Sequence, residues 1–207
     1  MTELRDIRVL TKSEDSTLNS EGARFSDKDI SLIDECKDAL ERMDVNKKGL
    51  VLGAGQNTPH WMAKGWETLD LLPEYNTTFI ADANNLSNAV GDNKYDFVLA
   101  ERITLNPVAG DPTLVRGPSG DYFEPALGHN NLLAEANRIL NTGGRLIIQT
   151  IDNAGMQVGV PVAEQFTPFF ETYGFKPVLV VSEDFRIPEV RKKGVEVTWY
   201  AEKVHDL

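Results

Sequence analysis

Three places along the chain carry residues able to hold a nucleotide. The first is Gly53-Ala54-Gly55, which follows the apolar run Gly49–Leu52. A glycine turn after a strand lets the backbone pass close under a ligand, because no β-carbon intrudes. The second is Asp70, fifteen residues beyond Gly55 and at the end of Trp66-Glu-Thr-Leu-Asp70. A carboxylate there can accept both hydroxyls of a ribose. The plainer reading is an exposed strand-end Asp, a residue that turns favour. The third is Asp82, after Thr77-Thr-Phe-Ile-Ala81. It suits the exocyclic amine of an adenine, beside the backbone amide of Ala83, and equally suits the N-cap of a following helix. The glycine turn and the two acids fall at three successive strand ends. That edge of a parallel sheet is where open α/β folds bind ligands. The third glycine of the dinucleotide fingerprint is missing, since Gln56-Asn-Thr-Pro59 follows Gly55. This argues against a pyrophosphate seated on a helix N-terminus.

Further along, Glu101-Arg102 stands just past a fourth strand, as a base with an anion clamp or as a surface ion pair. His129, at the start of a helix, is placed to act as a general base or simply to open that helix. Trp61, Tyr122 and Phe123 are candidates to line or cover a substrate, and Trp61 equally to pack on the first helix. The histidines, His60, His129 and His205, have no metal-ligand spacing, so no metal is expected.

The elements that must position these groups follow from periodicity. Ile30, Ile33, Cys36, Leu40 and Met43 recur at helical spacing, with Ser26 as N-cap, which predicts a helix over 27–44. Short glycine-bounded apolar runs predict strands at Gly49–Leu52, Trp66–Leu71, Thr77–Ala81 and Tyr95–Ala100. Residues 103–126, rich in Gly, Pro and Asp, read as a long irregular loop. A helix is expected at 128–141, stopped by Asn141-Thr-Gly-Gly144, then a strand at Arg145–Thr150. Pro161 opens another helix, with Phe166, Phe169, Phe170 and Tyr173 inward and Gly174 past its end. Phe175–Ser182 and Val195–Lys203 close the chain as an antiparallel pair, with Pro188 and Gly194 in the turn. Between Gly55 and Trp66 there is room for a helical turn or two.

The chain has 207 residues, 41% of them hydrophobic, which suits one α/β domain over 26–207. Residues 1–25 show no periodicity and read as a flexible tail or a lid. The net charge of −11 repels phosphate backbones and disfavours a nucleic-acid partner. The basic clusters Lys47-Lys48 and Arg191-Lys192-Lys193 are short. No apolar run spans a bilayer and no secretory signal opens the chain. Cys36 is the single cysteine, in keeping with a cytoplasmic setting.

Five segments in order carry a family resemblance: Val51-Leu-Gly-Ala-Gly55, Trp66-Glu-Thr-Leu-Asp70-Leu-Leu, Ile80-Ala-Asp82-Ala, Tyr95-Asp-Phe-Val-Leu-Ala-Glu101 and Leu133–Ile148. Together they resemble a class I S-adenosylmethionine-dependent methyltransferase, in a shortened subgroup, over roughly 45–203. The resemblance implies a three-layer α/β/α Rossmann-like sandwich. Its seven-stranded sheet would be mostly parallel, with the last strand antiparallel. It implies that Gly53, Ala54 and Gly55 lie under the methionine part of S-adenosylmethionine. Asp70, with Leu71 beside it, would hold the ribose, Asp82 with Ala83 the adenine, and Glu101 would stand near the methyl donor. Arg102, Tyr122 and His129 would face the substrate. Many members carry an acid two positions before the first glycine, where this chain has Val51. The expected activity is methyl transfer to an oxygen or nitrogen of a small molecule. The alternatives are a binding or structural protein that keeps the fold without catalysis, and a nicotinamide oxidoreductase.

Overall fold

The computed structural model describes residues 27–42, 46–101, 114–117, 120–123, 129–152, 170–187 and 192–207. The first helix, α1, is Asp27–Glu41, with Asp27 and Asp29 in its first turn, where the helix dipole favours acids. Its buried residues are Leu32, Ile33 and Cys36. Ile30, expected on the inner stripe, is exposed. At 3.6 residues per turn it lies about a quarter-turn off the line through Leu32, Ile33, Cys36 and Leu40. Ser26 and Met43 lie outside the described residues.

The strands are β1 (Gly49–Leu52), β2 (Glu67–Asp70), β3 (Phe79–Ile80), β4 (Tyr95–Glu101), β5 (Leu114–Gly117), β6 (Gly120–Phe123), β7 (Leu140–Asp152), β8 (Phe175–Ile187) and β9 (Lys192–Lys203). Between them fall α2 (Thr58–Ala63), α3 (Ser87–Val90) and α4 (His129–Ile139). Seven strands form one sheet in the order β3-β2-β1-β4-β7-β9-β8. β3, β2, β1, β4 and β7 pair in parallel, and β9 runs antiparallel to both β7 and β8. A tight connection leaves β9 no other direction, since a parallel return needs a crossover. Ile187 pairs with Lys192, so the turn is shorter than expected and Gly194 sits inside the strand, opposite Phe185.

Every residue of β1 is buried, as a strand covered on both faces requires. Alternation sends neighbouring side chains to opposite faces. Leu50, Leu52, Val98, Ala100, Leu146 and Ile148 meet α4 through Leu132, Leu133, Ala136 and Ile139. Val51, Phe97, Leu99 and Ile147 meet α1 and Trp61 on the other face. The result is the expected α/β/α sandwich. Two residues anchor its ends. Gly49 lies under Trp66, where an added Cβ would come within 2.3 Å of the ring. Lys203, fully buried, donates to the carbonyls of Asn137 and Leu140 at 2.6 and 2.8 Å and meets Asp206.

Two expectations are corrected. Part of the 103–126 loop is an antiparallel hairpin, β5–β6, with Val115 opposite Tyr122. Its β-forming residues flank Gly117-Pro-Ser-Gly120, a turn composition that read as loop throughout. β7 and the β8–β9 pair also run several residues beyond their apolar stretches. The helix expected from Pro161 is described only over 170–172, with Phe170 buried and Gly174 at φ 74 past its end. Residues 161–169, and the 1–25 tail, lie outside the described residues.

Candidate functional site

Strand register assembles the site. Leu52 pairs with Leu69 on one side and Ala100 on the other. The next residues, Gly53, Asp70 and Glu101, therefore stand side by side at the carboxyl edge, each about 4.8 Å from its neighbour. The chain turns sharply here: Gly53 has φ 73 and Gly55 φ 48, the left-handed region that favours glycine. The amides of Gly53 and Ala54 donate to the carbonyl of Leu69 at 2.9 and 3.2 Å.

Asp70 stands across the mouth of this turn. Its Oδ2 accepts from the amide of Gly55 and its Oδ1 from that of Leu72, both at 3.0 Å. Each oxygen keeps a second lone pair. A Cβ built on Gly55 would meet Asp70 and Tyr75 only at 4.0 Å, so the groove above the turn is open. Beside Asp70 the edge is apolar: Leu71, Leu72 and Ile80 are all exposed. An apolar strip next to a ribose-sized acceptor suits a flat heteroaromatic base.

Asp82 follows β3, tied to β2 by the Ala81 amide bonding the Asp70 carbonyl at 3.1 Å. Its Oδ1 accepts from the amide and side chain of Asn84 at 2.8 and 2.9 Å. This is an Asx turn. α3 begins only at Ser87, with Leu86 before it, so the N-cap reading of Asp82 does not hold. The Oδ1 of Asn84 is buried and accepts no hydrogen bond. A buried acceptor without a donor is costly. Nothing in the sequence pattern singled Asn84 out. Ala83 is partly buried against the core.

Glu101 is 8% exposed. Its Oε1 accepts from Asn57 Nδ2 at 2.6 Å and its Oε2 from Trp61 Nε1 at 2.8 Å. Glu101 is therefore buried rather than on the surface; Arg102, the other half of the ion-pair reading, lies outside the described residues. Trp61 is buried, 5.4 Å from Trp66 between ring centroids and packed with Leu32, Ile33 and Cys36 of α1. Of its two readings, packing is the one realised. Asn57, invisible to the motif search, holds the Gly55–Asn57 turn against β4.

Gly53, Ala54, Gly55, Asp70, Leu71, Asp82, Ala83 and Glu101 thus share one edge of the sheet. His129 is the first residue of α4. That helix leads into β7, which is parallel to β4, so its start faces the same edge. Tyr122 lies in β6, whose two-stranded sheet is separate from the seven strands. Among the described residues no group of three or more His, Cys, Asp and Glu is arranged to hold a metal. No described helix is long and apolar enough to cross a membrane.

The sheet order with its single antiparallel strand, and the turn at the end of β1, define the fold of the class I S-adenosylmethionine-dependent methyltransferases. Among solved structures, a SAM-dependent methyltransferase from Archaeoglobus fulgidus matches with TM-score 0.54 and 10% identity, over 86% of this chain and 95% of that one. The 16S rRNA (adenine(1408)-N(1))-methyltransferase from Catenulisporales acidiphilia matches with TM-score 0.51 and 9% identity, over 88% and 93%. A SAM-dependent methyltransferase from Methanosarcina mazei matches with TM-score 0.51 and 12% identity, over 77% and 93%. No family model matches the chain, and no curated protein matches it in sequence.

Proposed function

We propose that this protein transfers a methyl group from S-adenosylmethionine to an oxygen or nitrogen nucleophile of a small molecule. The observation that carries the reading is the register that sets Gly53 between Asp70 and Glu101 at the carboxyl edge. The residues present fit the cofactor. Gly53, Ala54 and Gly55 offer an open backbone floor for its methionine part. Asp70 has lone pairs for the ribose hydroxyls, with exposed Leu71 alongside. Asp82 and the amide of Ala83 suit an adenine edge.

The cofactor supplies a methyl group on a sulfonium, a good leaving group. What the chain must add is alignment and exclusion of water. In this reading Arg102, Tyr122 and His129 border the acceptor. The unit is residues 26–207 in a cytoplasmic setting, and the net charge of −11 favours a metabolite over nucleic acid.

Calorimetry with S-adenosylhomocysteine tests this. Wild-type protein is expected to bind it, and Asp70→Ala to bind it about tenfold or more weakly, through loss of charged hydrogen bonds. Absence of binding at millimolar ligand overturns the reading, and binding of NAD alone redirects it to oxidoreduction. One observation favours a second reading, in which the fold binds without turnover: Val51 is fully buried and apolar, where many family members hold an acid. Binding without release of S-adenosylhomocysteine from S-adenosylmethionine, across a panel of small acceptors, would support it.

A further inference from the structure

Glu101 is a buried carboxyl with no cation beside it among the described residues. Its side chain is buried, and both partners, the Asn57 amide and the Trp61 indole, are neutral. Even carboxylates with less cover have a cation beside them. Glu35 meets Arg145 and Lys47, and Glu135 meets Arg138. Asp70 and Asp82, on the same edge, are engaged by backbone amides, Asp70 by those of Gly55 and Leu72 and Asp82 by that of Asn84. Burying a carboxylate without a cation is costly. The arrangement is sound if a cation arrives with the ligand.

We propose that Glu101 is the counter-ion for the α-ammonium group of the bound cofactor. This rests on the S-adenosylmethionine reading above. Two strand spacings, about 9–10 Å, separate Asp70 from Glu101 across Gly53. A ribose joined through sulfur to an amino-acid chain spans that interval, with its hydroxyls at Asp70 and its ammonium at Glu101. Val51, beneath the turn, offers no charge, so Glu101 supplies the anion from the neighbouring strand. Asn57 and Trp61 hold the carboxylate still and leave each oxygen one lone pair for the ligand.

The test compares two probes that differ in the amino-acid portion bearing that ammonium. S-adenosylhomocysteine has the amino-acid portion; 5′-methylthioadenosine keeps the nucleoside and lacks it. Glu101→Gln should weaken S-adenosylhomocysteine roughly ten- to a hundredfold, the range for a lost charged hydrogen bond. Methylthioadenosine should stay within about twofold by the same argument. Asn57→Ala, which keeps the charge, should shift both ligands by the same factor. Glu101→Asp should keep the preference for S-adenosylhomocysteine, and it replaces Glu101→Gln if that variant does not fold. Equal losses for both ligands in Glu101→Gln would mean that Glu101 only clamps the loop, and would overturn this proposal alone. So would an unchanged S-adenosylhomocysteine affinity. If wild-type protein binds neither probe, the cofactor reading fails and this proposal falls with it.

Discussion

Glu35 joins α1 to the sheet: its Oε1 accepts from Lys47 at 2.8 Å and its Oε2 from both Nε and Nη2 of Arg145, at 3.0 and 2.8 Å. Partial burial pushes its carboxyl up, but the hydrogen bonds and charges of Lys47 and Arg145 outweigh that and hold it below the usual 4.5. A depressed folded value means that the native state binds the proton less readily than the unfolded chain. The contribution is therefore complete above 4.5 and is lost as pH falls through the lowered value. Glu35→Gln should cost about 1 kcal/mol at pH 7, no more, because the carboxylate is about a third exposed and screened. Urea melts of both proteins should differ at pH 7 and converge well below 4.5; a constant gap at acid pH would mean that the cost is steric. At this scale the sequence is only half legible. Asp70 and Asp82 could be placed because each lies next to the strand that carries it. The partners of Glu101 could not, since Asn57 and Trp61 lie 44 and 40 residues earlier and meet it only through the path of the chain after β1.

Packing between elements sets stricter limits than strand propensity does. β1 begins at Gly49, and the indole of Trp66 lies on it so closely that an added Cβ would be 2.3 Å from the ring. Trp66 is stacked in turn on Phe97 and packed on Trp61, so it has little room to retreat. Gly49→Ala should cost about 1–3 kcal/mol through overpacking. A thermal melt should show the loss, and Trp66→Leu in the same chain should recover part of it. A Gly49→Ala protein as stable as wild type would sink this account. The inner strands were readable because a strand buried on both faces must be an unbroken apolar run, and Gly49–Leu52 and Tyr95–Ala100 are. Ile30 misled because one apolar residue fits several helical stripes until the packing face is known. β5–β6 escaped because a hairpin is held by backbone pairing, which its Gly, Pro and Asp content concealed. β8 and β9 overran their apolar segments for the same reason: each strand pairs the other through polar positions such as Asp184 and Lys193.

For the whole molecule, the open matter is what reaches the cofactor edge, and fold likeness leaves that undecided because one neighbour of equal likeness acts on rRNA. Charge separates the cases through the direction of a salt effect. A protein that binds RNA through a basic patch displaces condensed counterions, so its affinity climbs steeply as salt is removed. A chain carrying −11 overall is repelled by phosphate, and at low salt the repulsion reaches further: the Debye length grows from about 8 Å at physiological ionic strength to about 30 Å at 0.01 M. Dilution of salt should then weaken any contact with RNA instead of strengthening it. Fluorescence anisotropy with a labelled hairpin RNA, at about 20 and about 200 mM salt, reads the sign directly. With the small-molecule acceptor proposed above, no saturable binding is expected at either salt up to about 100 μM protein, the weak end of non-specific affinity. Saturable binding that tightens on dilution would reveal a basic surface strong enough to overrule the net charge. The acceptor would then have to be sought among nucleic acids, with the roles proposed for Asp70 and Glu101 toward the cofactor unchanged.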